Sequence, residues 1–145
     1  MKAVLQVVDS AKLSVDGQAV SQIEKGLVVF FCVEKDDEEG KIDFFAKKIA
    51  NLRIFPDENG KTNLSVLDVK GQVLFVSQFT LAADCEHGNR PSFTEAELPE
   101  RAQDIYLKCA KAIQNYGVEV KLGVFGADMK IDQVNAGPFT IILSK

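Results

Sequence analysis

The hydrophobic positions of this chain come first in short runs and only later in stripes. Residues 2–8 and 12–15 are apolar-rich and predict strands, Asp16-Gly17 is a turn signal, and residues 18–24 return as a partner strand. Leu27-Val28-Val29-Phe30-Phe31-Cys32-Val33 is apolar on both faces, which predicts a central strand buried between two layers. The period then changes. Ile42, Phe45, Ile49 and Leu52 make one apolar stripe at helical spacing. The acidic stretch from Glu34 to Glu39 supplies favourable charge to the helix start and is read as solvated.

After Arg53-Ile54-Phe55, the segment Pro56-Asp57-Glu58-Asn59-Gly60-Lys61 is a polar turn, and residues 63–66 and 72–81 predict two further strands. A loop rich in Asp, Gly, Asn and Pro spans residues 82–92. Pro99 suits the first turn of a second helix, with Ala102, Ile105, Tyr106, Cys109 and Ile113 on one face and Gly117 placed to end it. Residues 118–124, 129–134 and 139–143 close the chain as strands. The pattern is one α/β domain over residues 1–145 with more strands than two helices cover, so one sheet has to pack on another sheet or on a second subunit.

Composition narrows the partners. With 17 Lys+Arg against 21 Asp+Glu, the formal charge of -4 lacks the basic footprint of a general nucleic-acid binder, and no DNA partner is expected. An RNA partner has to meet a local patch, for which Arg90, Lys47, Lys48, Arg53, Lys108 and Lys111 are candidates. Cys32, Cys85 and Cys109 lie far apart with no paired spacing, which points to a reducing, cytoplasmic setting. The first fifteen residues turn polar too early for a signal peptide or a membrane span.

Candidate chemistry is sparse. The single histidine, His87, would have to serve any Ser-His-Asp or Cys-His arrangement, with Ser77, Ser92 or Cys85 as partner. Cys85-Glu86-His87 sits in a loop and reads as ordinary exposed surface. Three scattered thiols and one imidazole offer no zinc spacing, and neither a Walker loop nor a dinucleotide fingerprint is present, so no metal and no cofactor is expected. What stands out is Ser77-Gln78-Phe79-Thr80-Leu81 directly after Val73-Leu74-Phe75-Val76, an apolar strand turning polar at its carboxyl end. Near the carboxyl end, Asn135-Ala136-Gly137-Pro138-Phe139-Thr140 sets a Gly-Pro pair between two strand-like runs, where proline supplies no ladder hydrogen bond.

At these residues the sequence resembles the D-aminoacyl-tRNA deacylase family. "SQFTLAAD", "NRPSF", "LRIFPDENGK", "NLSV", "ADM" and "NAGPFT" fall in the family's order, over essentially the whole chain. The resemblance implies a three-layer β/β/α sandwich, mostly antiparallel and mixed, with two main helices, assembled as a homodimer. It implies hydrolysis of the ester between a D-amino acid and the 3′ end of tRNA, and action on glycyl-tRNA, including glycine mischarged on tRNA(Ala). Catalytic positions would be Ser77, Gln78, Phe79 and Thr80, and substrate-binding positions Gly137, Pro138, Asn135, Thr140, Met129, Arg90 and Phe93. Gly137-Pro138 would be cis and inserted into the neighbouring subunit's site, reading chirality by excluding an L side chain. Val7 departs from the family's frequent Arg, Thr62 from Met and Gly126 from Ala.

Backbone N–H groups near Ser77 to Thr80 are then candidates to stabilise an oxyanion, and the vicinal 2′-OH of the substrate's ribose to assist the attack. Thr80 is the remaining nucleophile candidate, but it lacks a neighbouring base and is read as positioning. Two other readings stay open: a tRNA-end binding module without turnover, and an ordinary esterase using Cys85 or Ser77 with His87.

Overall fold

Strand β1 runs unbroken from Lys2 to Val15 in the computed structural model, which describes residues 1–145. The sequence suggested two runs here, and the reason is a change of face. Ala3, Leu5 and Val7 point into one core, whereas Val8, Ala11 and Leu13 point into another. The switch falls at Asp9, an extra residue between the pairs Val8↔Asn135 and Ser10↔Val134. Such a bulge turns the strand and lets one continuous element serve two layers.

β2 (Gln18–Ile23) pairs antiparallel with residues 11–15 of β1, and β3 (Gly26–Cys32) pairs antiparallel with residues 2–8. β6 (Gln72–Ser77) and β7 (Glu119–Leu122) extend the sheet in parallel from β3, giving the order β2-β1-β3-β6-β7, and β8 (Lys130–Ser144) covers the other side of β1. β4 (Phe55–Pro56) and β5 (Thr62–Leu64) form a small hairpin. The sheet curls until β2 meets β7, where the Ser21 hydroxyl donates to the Leu122 carbonyl at 2.6 Å. The result is a mixed, nearly closed sheet. β3 approaches β6 so closely at its start that a Cβ on Gly26 would lie 1.9 Å from the Gln72 carbonyl oxygen, so only glycine fits.

Helices α1 (Ile42–Asn51) and α2 (Pro99–Gln114) lie on one face of the sheet. Phe45, Ile49, Ile105, Cys109 and Ile113 meet Leu27, Val29, Phe31, Val73 and Phe75 there. Phe31 sets its ring edge-on to Phe45 at 5.5 Å. Truncating a fully buried aromatic such as Phe45 to Ala costs about 3–5 kcal/mol. On the opposite face Val28, Leu74 and Val76 join Val8, Ala11, Leu13 and Ile23 in a smaller core. That division explains why β3 and β6 carry no polar alternation.

Three further expectations need correction. β6 ends at Ser77 rather than Leu81, and residues Phe79–Ala82 form one 3₁₀ turn instead. The strands expected at 129–134 and 139–143 are a single strand, β8, carrying the Gly-Pro pair inside it. The acidic run is not all solvated, since Asp37 is only 3% exposed. Its carboxylate accepts from the Glu34 N–H at 2.8 Å and from Lys41 Nζ at 2.7 Å, and pairs with the Met1 ammonium. No helix is long and apolar enough to cross a membrane.

Candidate functional site

Parallel strands β3 and β6 end side by side at the pair Phe31↔Ser77, and a cavity of about 510 Å³ opens beyond them. Cys32, Ser77, Gln78 and Phe79 form its strand-end wall, Pro99, Ala102 and Tyr106 come from α2, and residues 125–129 with Ile131 close it. The crevice outside the carboxyl ends of parallel strands is the usual ligand position in α/β sheets.

The chain leaves β6 with the Gln78 N–H still bonded to the Phe31 carbonyl at 2.8 Å, then turns sharply into the 3₁₀ turn. As the first residues of that turn, Phe79 and Thr80 have N–H groups with no partner inside it. Phe79 is 55% exposed, and its ring rests edge-on against Phe93 at 5.2 Å. Gln78 Nε2 donates to Thr80 Oγ1 at 2.5 Å, and no carboxylate or imidazole is bonded to that hydroxyl.

The titratable groups lining the cavity are Cys32, Glu97, Tyr106 and Asp128. Burial pushes the Cys32 thiol up to about 11. Burial likewise raises the Tyr106 phenol, whose hydroxyl donates to the Phe75 carbonyl. The Leu98 N–H, 2.7 Å from Oε1, and the Arg101 guanidinium hold the Glu97 carboxyl below its ordinary value despite some burial. These three are poor bases at neutral pH, and Asp128 is exposed at the rim.

The Gly-Pro pair stands elsewhere. Between the pairs Gln6↔Thr140 and Val8↔Asn135, residues 136–139 of β8 oppose Val7 alone and bulge out of the sheet. Gly137-Pro138 is cis, Gly137 has φ +117°, and both residues are exposed. Val7 itself turns inward to the helix-side core.

Of the residues singled out from sequence, Ser77, Gln78, Phe79 and Met129 therefore share the cavity, and Phe93 touches it through Phe79. Thr80, Asn135, Gly137, Pro138, Thr140 and Arg90 do not line it. Cys85 and His87 are exposed and absent from its walls. Lys47, Lys48 and Arg53 share a separate depression with Asn51 and Leu52, whereas Lys108 is neutralised by Glu39 and Asp104. Sequence reasoning missed Cys32, Glu97 and Tyr106 as walls. Cys32 was findable from the parallel pairing of β3 and β6, because it follows Phe31, the partner of Ser77.

These features define a mixed α/β protein with a ligand-sized cavity at the ends of parallel strands. The model of the D-Tyr-tRNA(Tyr) deacylase family matches residues 4–144, and the chain belongs to this family of enzymes. A D-aminoacyl-tRNA deacylase of Thermosipho africanus is 50% identical over 143 residues, spanning 99% of this chain and 96% of that protein. Its counterpart in Magnetococcus marinus is 51% identical over 144 residues, 99% of this chain and 95% of that one. Among solved structures, the c-Myc DNA unwinding element binding protein superposes with a TM-score of 0.93 at 36% identity, covering 100% of this chain and 99% of that one. A probable eukaryotic D-amino acid tRNA deacylase shares the fold, with a TM-score of 0.84 at 16% identity over 98% of this chain and 97% of that one.

Proposed function

We infer that this chain hydrolyses the ester joining a D-aminoacyl group to the 3′ adenosine of tRNA, releasing free D-amino acid and tRNA. The observation that carries this reading is the cavity itself: a polar strand end, Ser77-Gln78-Phe79, in the wall of a pocket that holds no histidine and whose buried Cys32 and Tyr106 stay protonated at neutral pH. An aminoacyl ester is already activated, and such a site needs only to bind, orient and stabilise charge. The N–H group of Phe79, the cavity-lining residue of the turn, is the oxyanion donor in this reading, a contact commonly worth about 3–4 kcal/mol. The ribose 2′-OH of the substrate assists the attacking water, and Thr80 positions rather than attacks.

A volume of about 510 Å³ lies within the usual range of small-ligand pockets and suits an aminoacyl adenosine rather than a duplex. One structural relative is named for binding a DNA element, which makes DNA the second reading. The formal charge of -4 and the small volume of the cavity favour the aminoacyl end.

Chiral selection comes from a homodimer in which the 136–139 bulge of one copy enters the cavity of the other. The bulge stands clear of its own chain's cavity, as such an exchange requires. Rejecting L esters about 10⁴-fold takes about 5.5 kcal/mol, within reach of steric overlap with a fixed backbone. A pocket that excludes one side chain admits a substrate with none, so glycyl-tRNA is also cleaved. The test is release of free D-tyrosine from D-tyrosyl-tRNA at substrate excess. Many turnovers per site, retained after His87→Ala, support the reading. Stoichiometric binding without release indicates a binding module, and loss of turnover in His87→Ala indicates a conventional esterase.

A further inference from the structure

Four side-chain amides and hydroxyls meet at the root of the 136–139 bulge. Gln133 Nε2 donates to Gln6 Oε1 at 2.8 Å and to Asn135 Oδ1 at 2.6 Å. Gln6 Nε2 in turn donates to Thr140 Oγ1 at 3.4 Å. Asn135 and Thr140 are the residues at which β8 leaves and rejoins its pairing with β1. The chain of bonds Asn135–Gln133–Gln6–Thr140 thus closes the neck of the bulge through a residue of β1. Both ends of the loop are tied to one point on the sheet.

Gln133 occupies an improbable place for a glutamine chosen for stability. It lies on the same face of β8 as Ile131, which lines the cavity, and pairs with Ala11, a member of the smaller apolar core. Its Oε1 is buried with no hydrogen-bond partner. A half-satisfied buried amide is worse for stability than an apolar side chain of similar shape. The two donors of Nε2 are what an apolar residue would not supply, and both converge on the neck of the bulge.

We propose that Gln133, acting through Gln6 and Asn135, is a positioning residue that fixes how the Gly137-Pro138 bulge projects and thereby sets discrimination between D and L esters. The inference rests on the deacylase reading above. It differs from that reading in assigning selectivity to an amide outside the cavity. Once the neck is released, residues 136–139 keep their sequence but gain freedom to yield before an L side chain.

The variants Gln133→Met and Gln133→Glu test it. Methionine preserves length and removes both donors. Glutamate preserves shape and turns an acceptor oxygen toward Gln6 Oε1 and Asn135 Oδ1. Rates of deacylation of D-tyrosyl- and L-tyrosyl-tRNA give kcat/KM for each ester, alongside thermal melting and amide exchange at Ala136, Gly137 and Phe139. The expected result is a fall of at least tenfold in the D to L ratio for both variants, exchange at those amides at least tenfold faster, and no loss of melting temperature in Gln133→Met. A ratio within twofold of wild type overturns the proposal. So does an equal loss toward both esters accompanied by lower melting temperature, which marks a purely structural residue. If both variants fail to fold, Gln6→Met opens the same neck from β1 and is judged by the same ratio. Wild-type chain that cleaves neither ester fails the underlying reading instead, and the exchange rates of the bulge then still judge the clamp.

Discussion

The hydroxyl of Tyr106 donates a buried hydrogen bond to the carbonyl oxygen of Phe75, 2.6 Å away, while the two rings stack 5.0 Å apart at 8°. This contact fastens α2 to β6 two residues before Ser77, so the cavity's helical wall and its strand-end wall are set by one side chain. The same carbonyl accepts from the Gly123 N–H at 3.0 Å. Tyr106→Phe therefore removes a bond without orphaning its acceptor. The expected cost is about 1 kcal/mol, which lowers Tm by about 2–4 °C for a chain of this size. Calorimetry of the two proteins checks it, and a loss beyond about 3 kcal/mol contradicts a retained Gly123 bond.

Gly137→Ala tests the bulge directly. At φ +117° a Cβ would lie 2.9 Å from the Phe139 nitrogen, so the alanine chain must rebuild this segment. Local strain of this kind costs about 1–3 kcal/mol. Deacylation is expected to fall at least tenfold while circular dichroism is unchanged, because the β1–β8 pairing on either side of the bulge is untouched. Wild-type activity in this variant contradicts a role for the bulge.

Asp37 makes stability depend on pH in a defined direction. Burial pushes its carboxyl up, but the bonds from Lys41, the Met1 ammonium and the Glu34 N–H outweigh burial and hold it below its ordinary value. A carboxyl depressed in the folded chain contributes stability that is present above its unfolded value of about 3.9 and is lost as pH falls through the folded value. Asp37→Asn is expected to cost about 3 kcal/mol at pH 7, as for breaking a buried ion pair. The gap from wild type should shrink as the pH is lowered below about 4. Urea titrations at neutral and acid pH measure it, and a gap independent of pH contradicts the assignment.

Much of the fold was legible because its elements obey simple periods. The two-faced run 27–33 became the central strand β3, and the Ile42, Phe45 and Ile49 stripe became α1. What failed were the places where long-range pairing overrides the local pattern. β1 reads as two runs because the bulge at Asp9 reverses its faces. β8 reads as two because residues 136–139 leave the ladder and return. The fate of Asp37 was invisible because its partners come from Met1 and Lys41, on either side of it in sequence. At the site, Ser77-Gln78-Phe79 stood out by following an apolar strand. Tyr106 read only as one more apolar-face residue of α2, since nothing local tells that its hydroxyl reaches Phe75, 31 residues away. Gln133 carried no signal, because its partners are brought together only by the pairing of β1 with β8.

The most direct measurement is a single-turnover comparison of D-tyrosyl-, L-tyrosyl- and glycyl-tRNA at saturating enzyme, each corrected for spontaneous hydrolysis. The expected result is rapid release of D-tyrosine and glycine, with the L ester slower by about 10⁴-fold, as steric exclusion worth about 5.5 kcal/mol requires. Equal rates for the two tyrosyl esters, or a D rate no faster than spontaneous hydrolysis, would contradict a chirally selective deacylase.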